Sequence, residues 1–412
     1  MRHNTKILLI TLLLTGSTSA ENKVDPVDFL LQKNREVLGA QKAYEAAVER
    51  VKIFGVLPDP MAESSLYLEP IETGNGPMQG QFMLGQRFPL WGKLKRERAV
   101  AKLRAEIGSL DLEQTKIRVV FRMRKSWENY LKLKNSLDIL NGYREELVTF
   151  RSIALTQYET GAGLTQHPIL KLQIEISLIE SQINTLQSDF ESVANDLQSL
   201  FDGVFSPDLF GDERTNVLPE NSAESWLEIA KETHPLYLKI QQEFQIAVLQ
   251  NELAVRQNFP DLSGGLTYTL IGEGEREMSG SDAFGFRVGL NLPIWFGRNR
   301  ARIESTELSI ASKGEMVEEV WNQIEDDSRS TKRDMDEIEE TYMLYDERLL
   351  QESDQMLSSA FSAYETGKIS FLDVLDSERM AIEVRLDFER IEAQRRIASA
   401  HMLKSIGLIH LK

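Results

Sequence analysis

The chain has 412 residues, 42% of them hydrophobic, and a formal charge of −17. That excess of acid argues against nucleic acid or an anionic membrane surface as partner, since both favour a basic face. Cysteine is absent, which excludes disulfides, thiolate nucleophiles and thiolate metal sites.

From the N-terminus, Arg2 and Lys6 precede the apolar run Ile7–Leu14, and a small polar stretch ends at Ala20. A charged start, a short apolar core and the pair Thr18/Ala20 form a secretory signal pattern, so residues 1–20 are expected to be removed on export. Eight apolar residues are too few to cross a bilayer as a helix, and no later apolar run is long enough either.

The remaining chain divides by period. A first strand-like region, about 61–89, carries a weak alternation around Gly74-Asn75-Gly76. It closes at "FPLWGK", where Pro89 and Trp91 stand at the change from alternating to helical pattern. No proline then occurs before Pro168. An interior proline costs a helix about 3 kcal/mol, so this tract is free to be one very long helix. Tyr130, Leu133, Leu137, Leu140, Leu147, Ala154 and Tyr158 mark its apolar seam. After "YETG" (Tyr158–Gly161) comes a stricter seam. Ile169, Leu172, Ile176, Ile179, Ile183, Leu186, Phe190, Val193, Leu197 and Leu200 step by three and four without a break, as coiled-coil packing requires.

Pro207, Gly211 and Pro219 mark residues 202–222 as a linker. His234-Pro235 should open a helix. A second strand-like region, about 261–293, is clearer. Leu266, Tyr268 and Leu270 alternate with Thr267, Thr269 and Ile271. Phe284, Phe286, Val288, Leu290 and Leu292 alternate with Ala283, Gly285, Arg287, Gly289 and Asn291. Period two with one apolar face predicts a hairpin of two strands. It closes at "LPIWFGR", with Pro293 and Trp295 placed as Pro89 and Trp91 are. A second proline-free tract, with a seam at Met335, Ile338, Tyr342, Tyr345, Leu349 and Met356, runs to a second "YETG" (Tyr364–Gly367).

The two halves therefore match in order. "LPDP" at Leu57 and "FPDL" at Phe259 are 202 residues apart, the two prolines of the joints 204, and the two "YETG" turns 206. Residues 21–201 and 223–412 read as one duplicated unit of helix, hairpin, long helix and helix. The repeated proline should end each strand ladder and sit in the first turn of the helix that follows. A lone tryptophan beside it would be read as packing; two at equivalent joints suit anchors at a membrane surface. Gly161 and Gly367 should end the two long helices, each about 100 Å if it holds some 65 residues. Four strands of about ten residues can cross a bilayer when tilted, but an open edge in hydrocarbon leaves backbone groups unpaired. Two, three or four copies would have to pool strands into a closed barrel with a wet interior.

These landmarks, with "HPLYLKI", "NFPDL" and "DVLD" (Asp373–Asp376), resemble the TolC family of outer-membrane efflux proteins over essentially the whole mature chain. "YETGAGLTQHPILKLQIEIS" looks most like the branch serving metal-ion exporters. The resemblance implies a mainly α, α+β fold in a homotrimer. Long coiled-coil helices would form an α-barrel tunnel in the periplasm, and four strands per chain a shared twelve-stranded barrel in outer-membrane lipid. It implies a periplasmic adaptor and an inner-membrane transporter of RND type as partners. It places acidic rings at the periplasmic mouth, here Asp373 and Asp376; Tyr364 and Lys368 sit close enough in sequence to help hold that mouth shut by hydrogen bonds. Asp373 and Asp376 are three apart on a helix and share a face. Two departures stand out. Gln166-His167-Pro168 replaces the acidic "LDV" of the second tip, and the family's basic partner falls at Ile369.

An enzyme is the first rival class. His3, His167, His234, His401 and His410 are scattered, no P-loop or nucleophile elbow occurs, and "GEGERE" lacks a strand-loop-helix setting. No catalytic, cofactor or metal residue is assigned. The second rival is a periplasmic adaptor or a structural coiled-coil protein of the envelope. An adaptor would show one helical hairpin flanked by small β domains.

Overall fold

The computed structural model describes residues 25–160, 165–209, 215, 217–219, 221–273 and 280–410. The expected signal (1–20) and Gly161 lie outside these residues.

Among the described residues, α-helices and strands follow one another in the order helix-helix-hairpin-helix-helix, twice, with one additional break. Helices α1 (Pro26–Lys33) and α2 (Arg35–Arg50) lead to strands β1 (Met61–Ile71) and β2 (Met78–Phe88). Helix α3 (Lys93–Glu159) has 67 residues, and α4 (Gln166–Leu200) returns along it. Helices α5 (Ala223–Thr233) and α6 (Pro235–Arg256) then lead to β3 (Leu262–Ile271) and β4 (Ala283–Leu290). The second long helix is α7 (Phe296–Leu344), a π turn over Tyr345–Leu349, and α8 (Leu350–Glu365); α9 (Phe371–Ser405) returns. Lacking interior prolines, α3 runs unbroken for about 100 Å at 1.5 Å per residue. The second tract was expected to be equally continuous, and the π turn corrects that.

The packing follows the seams. Every seam residue of α4 from Ile169 to Leu200 is buried or half-buried, while Gln173, Ser177, Glu180 and Asn184 between them are exposed. On α3 the seam holds from Tyr130 to Ala154, but Tyr158 is exposed in the last turn. Three cores result. One gathers Leu30, Val37, Trp127, Leu197 and Phe201 from α1 to α4. Another gathers Trp226, Tyr237, Ile324, Met402 and Ile406 from α5, α6, α7 and the end of α9. The third, toward the tip, takes Leu140, Leu147, Leu172, Ile176, Leu375 and Ile382, so it joins α3 and α4 to α9. The two halves are thus bound along a shared apolar seam.

The four strands make one antiparallel sheet in the order β1-β2-β3-β4. The central pairing joins the two halves, Phe82 opposite Tyr268 and Leu84 opposite Leu266. Strand β4 stops at Leu290, short of the expected Leu292, because Asn291 turns to the next junction: its N–H donates to the Asp261 carbonyl and its side-chain oxygen accepts from the Asp261 N–H. Among the described residues no helix is long and apolar enough to cross a membrane.

Candidate functional site

Three regions carry the candidate residues: the sheet wall, the joint between strands and helices, and the far tip of the helices.

The wall has two faces, set by register. Opposed residues point the same way. Phe284 pairs with Tyr268, Phe286 with Leu266 and Leu290 with Leu262, and across β2 these align with Phe82, Leu84 and Phe88. This face is apolar and uncovered, with Phe286 75% exposed. The opposite face carries Gln81, Met83, Arg87, Ser263, Thr267, Thr269 and Arg287 among glycines. Arg287 and Phe286 therefore stand on opposite sides, as the alternation predicts.

At the joint the proline expectation needs correction. Pro89 does end the β2 ladder, but α3 begins only at Lys93, after Trp91 and Gly92 in the left-handed region (φ 61° and 72°). Pro293 likewise precedes α7 by three residues, with Trp295 as its N-cap. What holds the first joint is a buried carboxylate. Asp261, 3% exposed, accepts from Lys93 Nζ at 2.6 Å, Arg87 Nη2 at 2.8 Å and Leu90 N–H at 3.2 Å. Lys93, itself buried, also donates to the Phe259 carbonyl at 2.9 Å. Burial alone would push the Asp261 carboxyl up; the hydrogen bonds from Lys93, Arg87 and Leu90 outweigh it and hold it below the usual carboxylate range. Trp91 joins the same junction. Its Nε1 donates to the Pro260 carbonyl at 2.8 Å and its ring packs on Phe259 at 5.3 Å. Trp295 is 65% exposed, beside exposed Leu292, Ile294 and Phe296. The two tryptophans are equivalent in sequence and different in setting.

Asp261 and Lys93 carry no catalytic pattern and were not singled out as site residues. They lie inside the motifs "FPDL" and "WGK", and their repetition beside the two hairpins was the available signal.

At the tip, Gly367 (φ 69°) closes α8 as a Schellman turn: Lys368 N–H donates to Ala363 O and Gly367 N–H to Tyr364 O, both at 2.9 Å. Helix α9 then opens with a capping box. Ser370 N–H and Oγ donate to Asp373 Oδ2 at 2.8 and 2.7 Å, and Asp373 N–H donates back to Ser370 Oγ. The Ser370 hydroxyl and N–H hold the Asp373 carboxyl below its ordinary range. Asp376 Oδ1 accepts from Lys171 Nζ of α4 at 2.9 Å. Both carboxylates remain exposed. Tyr364 packs edge-on to Phe371 at 5.9 Å, in a pocket of about 200 Å³ shared with Phe150, Ile153, Phe361 and Val374. Lys368 contributes its backbone to the turn while its side chain is exposed. The structure thus brings the four gate candidates to one end of the chain. The Lys171 contact was missed; its partner is 205 residues away. The Ser370-x-x-Asp373 spacing was a readable cap signal.

Among the described residues no group of three or more His, Asp or Glu is arranged to hold a metal ion.

This assembly of a four-stranded sheet on long, mutually packed helices, the longest about 100 Å, is a fold shared with solved outer-membrane channel proteins. A membrane protein from Pseudomonas aeruginosa superposes with TM-score 0.79 at 17% identity, over 94% of this chain and 93% of that one. The outer membrane channel MtrE of Neisseria gonorrhoeae, solved in its open state, superposes with TM-score 0.75 at 16% identity, over 97% and 95%. The outer membrane protein VceC of Vibrio cholerae gives TM-score 0.74 at 15% identity, over 92% and 95%. No protein-family profile and no curated protein sequence matches the chain.

Proposed function

We propose that the chain is the outer-membrane channel of a tripartite efflux system, a passive conduit for what an inner-membrane pump delivers. One observation carries the reading: an apolar sheet face left bare and continuous with helices long enough to cross much of a periplasm. Strands β1 and β4 are the two edges of the sheet. In hydrocarbon those edges must be paired, so copies of the chain join β4 of one to β1 of the next. All neighbours in the sheet are antiparallel and four is even, so this closure is antiparallel throughout. Three copies make a twelve-stranded barrel. Trp295 and its apolar neighbours, with Trp91, sit at the periplasmic rim where aromatic side chains anchor.

The opposite end is the mouth that meets the adaptor and an RND-type pump. There Asp373 and Asp376 form two acidic rings about the three-fold axis. Each has a local partner, yet both are exposed, and an exposed ion pair such as Lys171–Asp376 is worth only about 0–1 kcal/mol. The rings therefore keep the charge that attracts cations and multivalent blockers. The metal-exporter affinity rests on the resemblance alone. The experiment is fractionation of the expressed protein. A heat-modifiable oligomer in the outer membrane is the expected result; a water-soluble periplasmic monomer would instead favour an adaptor or coiled-coil role.

A further inference from the structure

Arg287 occupies a distinctive place on the inner face of the wall. Its cross-strand neighbours on that face are Gly265 on β3 and Gly85 on β2, with Met61 beyond on β1. Along β4 its same-face neighbours are Gly285 and Gly289. With no side chains at those four positions, the guanidinium reaches across the sheet to Met83 on β2, Nη1 to Sδ 3.1 Å. A thioether is a weak acceptor and neutralises nothing. The other inner-face arginine, Arg87, is paired to Asp261 at 2.8 Å. In the regular part of the register the remaining inner-face charge is Glu63 on β1, three strands away within the chain but on the strand that closure sets beside β4 of the neighbouring copy. Within its own sheet Arg287 is thus a cation laid on bare wall, in a chain whose net charge is strongly negative.

We infer that Arg287 is a specificity-determining residue of the conduit, favouring the passage of anionic groups through the barrel segment. The inference rests on the channel reading. Rings of arginine or lysine select anions in pores. Lying along glycines, the side chain supplies that charge without narrowing the passage. The distances say how strong the effect is. Twelve strands about 4.8 Å apart and tilted about 40° give a backbone radius of about 12 Å, so three copies of Arg287 stand about 20 Å apart. At physiological salt the screening length is about 8 Å, and each acts alone; at 0.01 M it is about 30 Å, and their fields merge across the lumen. The preference is therefore weak at high salt and pronounced at low salt.

The test is the anion-to-cation permeability ratio from reversal potentials of the assembled protein in planar bilayers under potassium chloride gradients. Arg287→Gln is expected to lower the ratio by about twofold or more at low salt and little at high salt. Arg287→Lys should retain the wild-type ratio. Gly85→Lys adds a cation at the same level, where a side chain's first carbon would meet nothing nearer than 3.9 Å, and should raise the ratio. A conducting Arg287→Gln protein with an unchanged low-salt ratio overturns the inference and leaves the channel reading intact. Should Arg287→Gln not assemble, an unchanged ratio in Gly85→Lys overturns it equally. Absence of conductance in the assembled wild type defeats the channel reading and this inference together.

Discussion

Removing the Lys93 ammonium would leave Asp261 buried with Arg87 and a single N–H as its remaining partners. Truncating one member of a buried pair costs about 3–5 kcal/mol when nothing else compensates, and Arg87 should bring this to the lower end. Lys93→Met is therefore expected to lower the melting temperature of the detergent-solubilised protein clearly, and Lys52→Met, in an exposed pair with Glu49, to leave it nearly unchanged. Equal melting temperatures would mean the joint is held by packing alone. A second buried acid acts with the opposite sign. Glu378 on α9 is buried and one of its carboxyl oxygens has no hydrogen-bond partner. Burial first, then a hydrogen bond with Glu146, raise its pKa from 4.5 to about 9. Its protonated form is the one the fold favours, so the stabilisation is complete below the unfolded value and is lost as pH rises toward 9. Melting temperature should fall between pH 4.5 and 9, and Glu378→Gln should flatten that slope. The same slope in both proteins would show that Glu378 is already ionised in the fold.

The two long helical tracts differ by a device that only coordinates reveal. The repeat offset grows from 204 at the joints to 206 at the tips, so the second tract is longer than the first between equivalent points. A π turn takes up one extra residue within a helix, and Tyr345–Leu349 lies in that longer tract. Deleting Glu347 should convert the turn to regular α-helix and leave assembly intact. Deleting Lys134 from the unbroken α3 should rotate everything beyond it by about 100° and abolish assembly. If Glu347 deletion is as damaging as Lys134 deletion, the turn is needed for itself. In the proposed barrel Phe286→Arg puts a charge on the lipid side and should cost about 2–4 kcal/mol, whereas Thr267→Arg faces the lumen and should be tolerated. Comparable membrane yields would contradict the facing. Periodicity and proline placement made the elements, the seams and the two faces of β4 legible, because those are local and repetitive. The Asp261–Lys93 pair, separated by 168 residues, and Lys171–Asp376 were not, because the contacts arise only once the halves pack together. The left-handed Trp91 was hidden for a different reason: a non-glycine residue takes that conformation under tertiary constraint, here the hydrogen bonds to Pro260 and from Arg256.

At the scale of the whole molecule, a sheet with two open edges and one bare apolar face is incomplete by itself. Closure between copies is the step on which the proposed conduit, its acidic mouth and the inferred role of Arg287 all depend. The sequence has no cysteine, so introduced thiols report without background. The most direct measurement is oxidative cross-linking in intact outer membranes of proteins carrying one cysteine on β1, at Ala62, Ser64 or Leu66 in turn, and one on β4 at Phe284 or Phe286. Within a chain these strands are three spacings apart, about 14 Å, too far for a disulfide; between copies they would be neighbours about 4.8 Å apart. The account predicts covalent dimers and trimers for at least one pairing and no species larger than three copies. Monomer alone at every pairing, or a ladder extending past three, would contradict it.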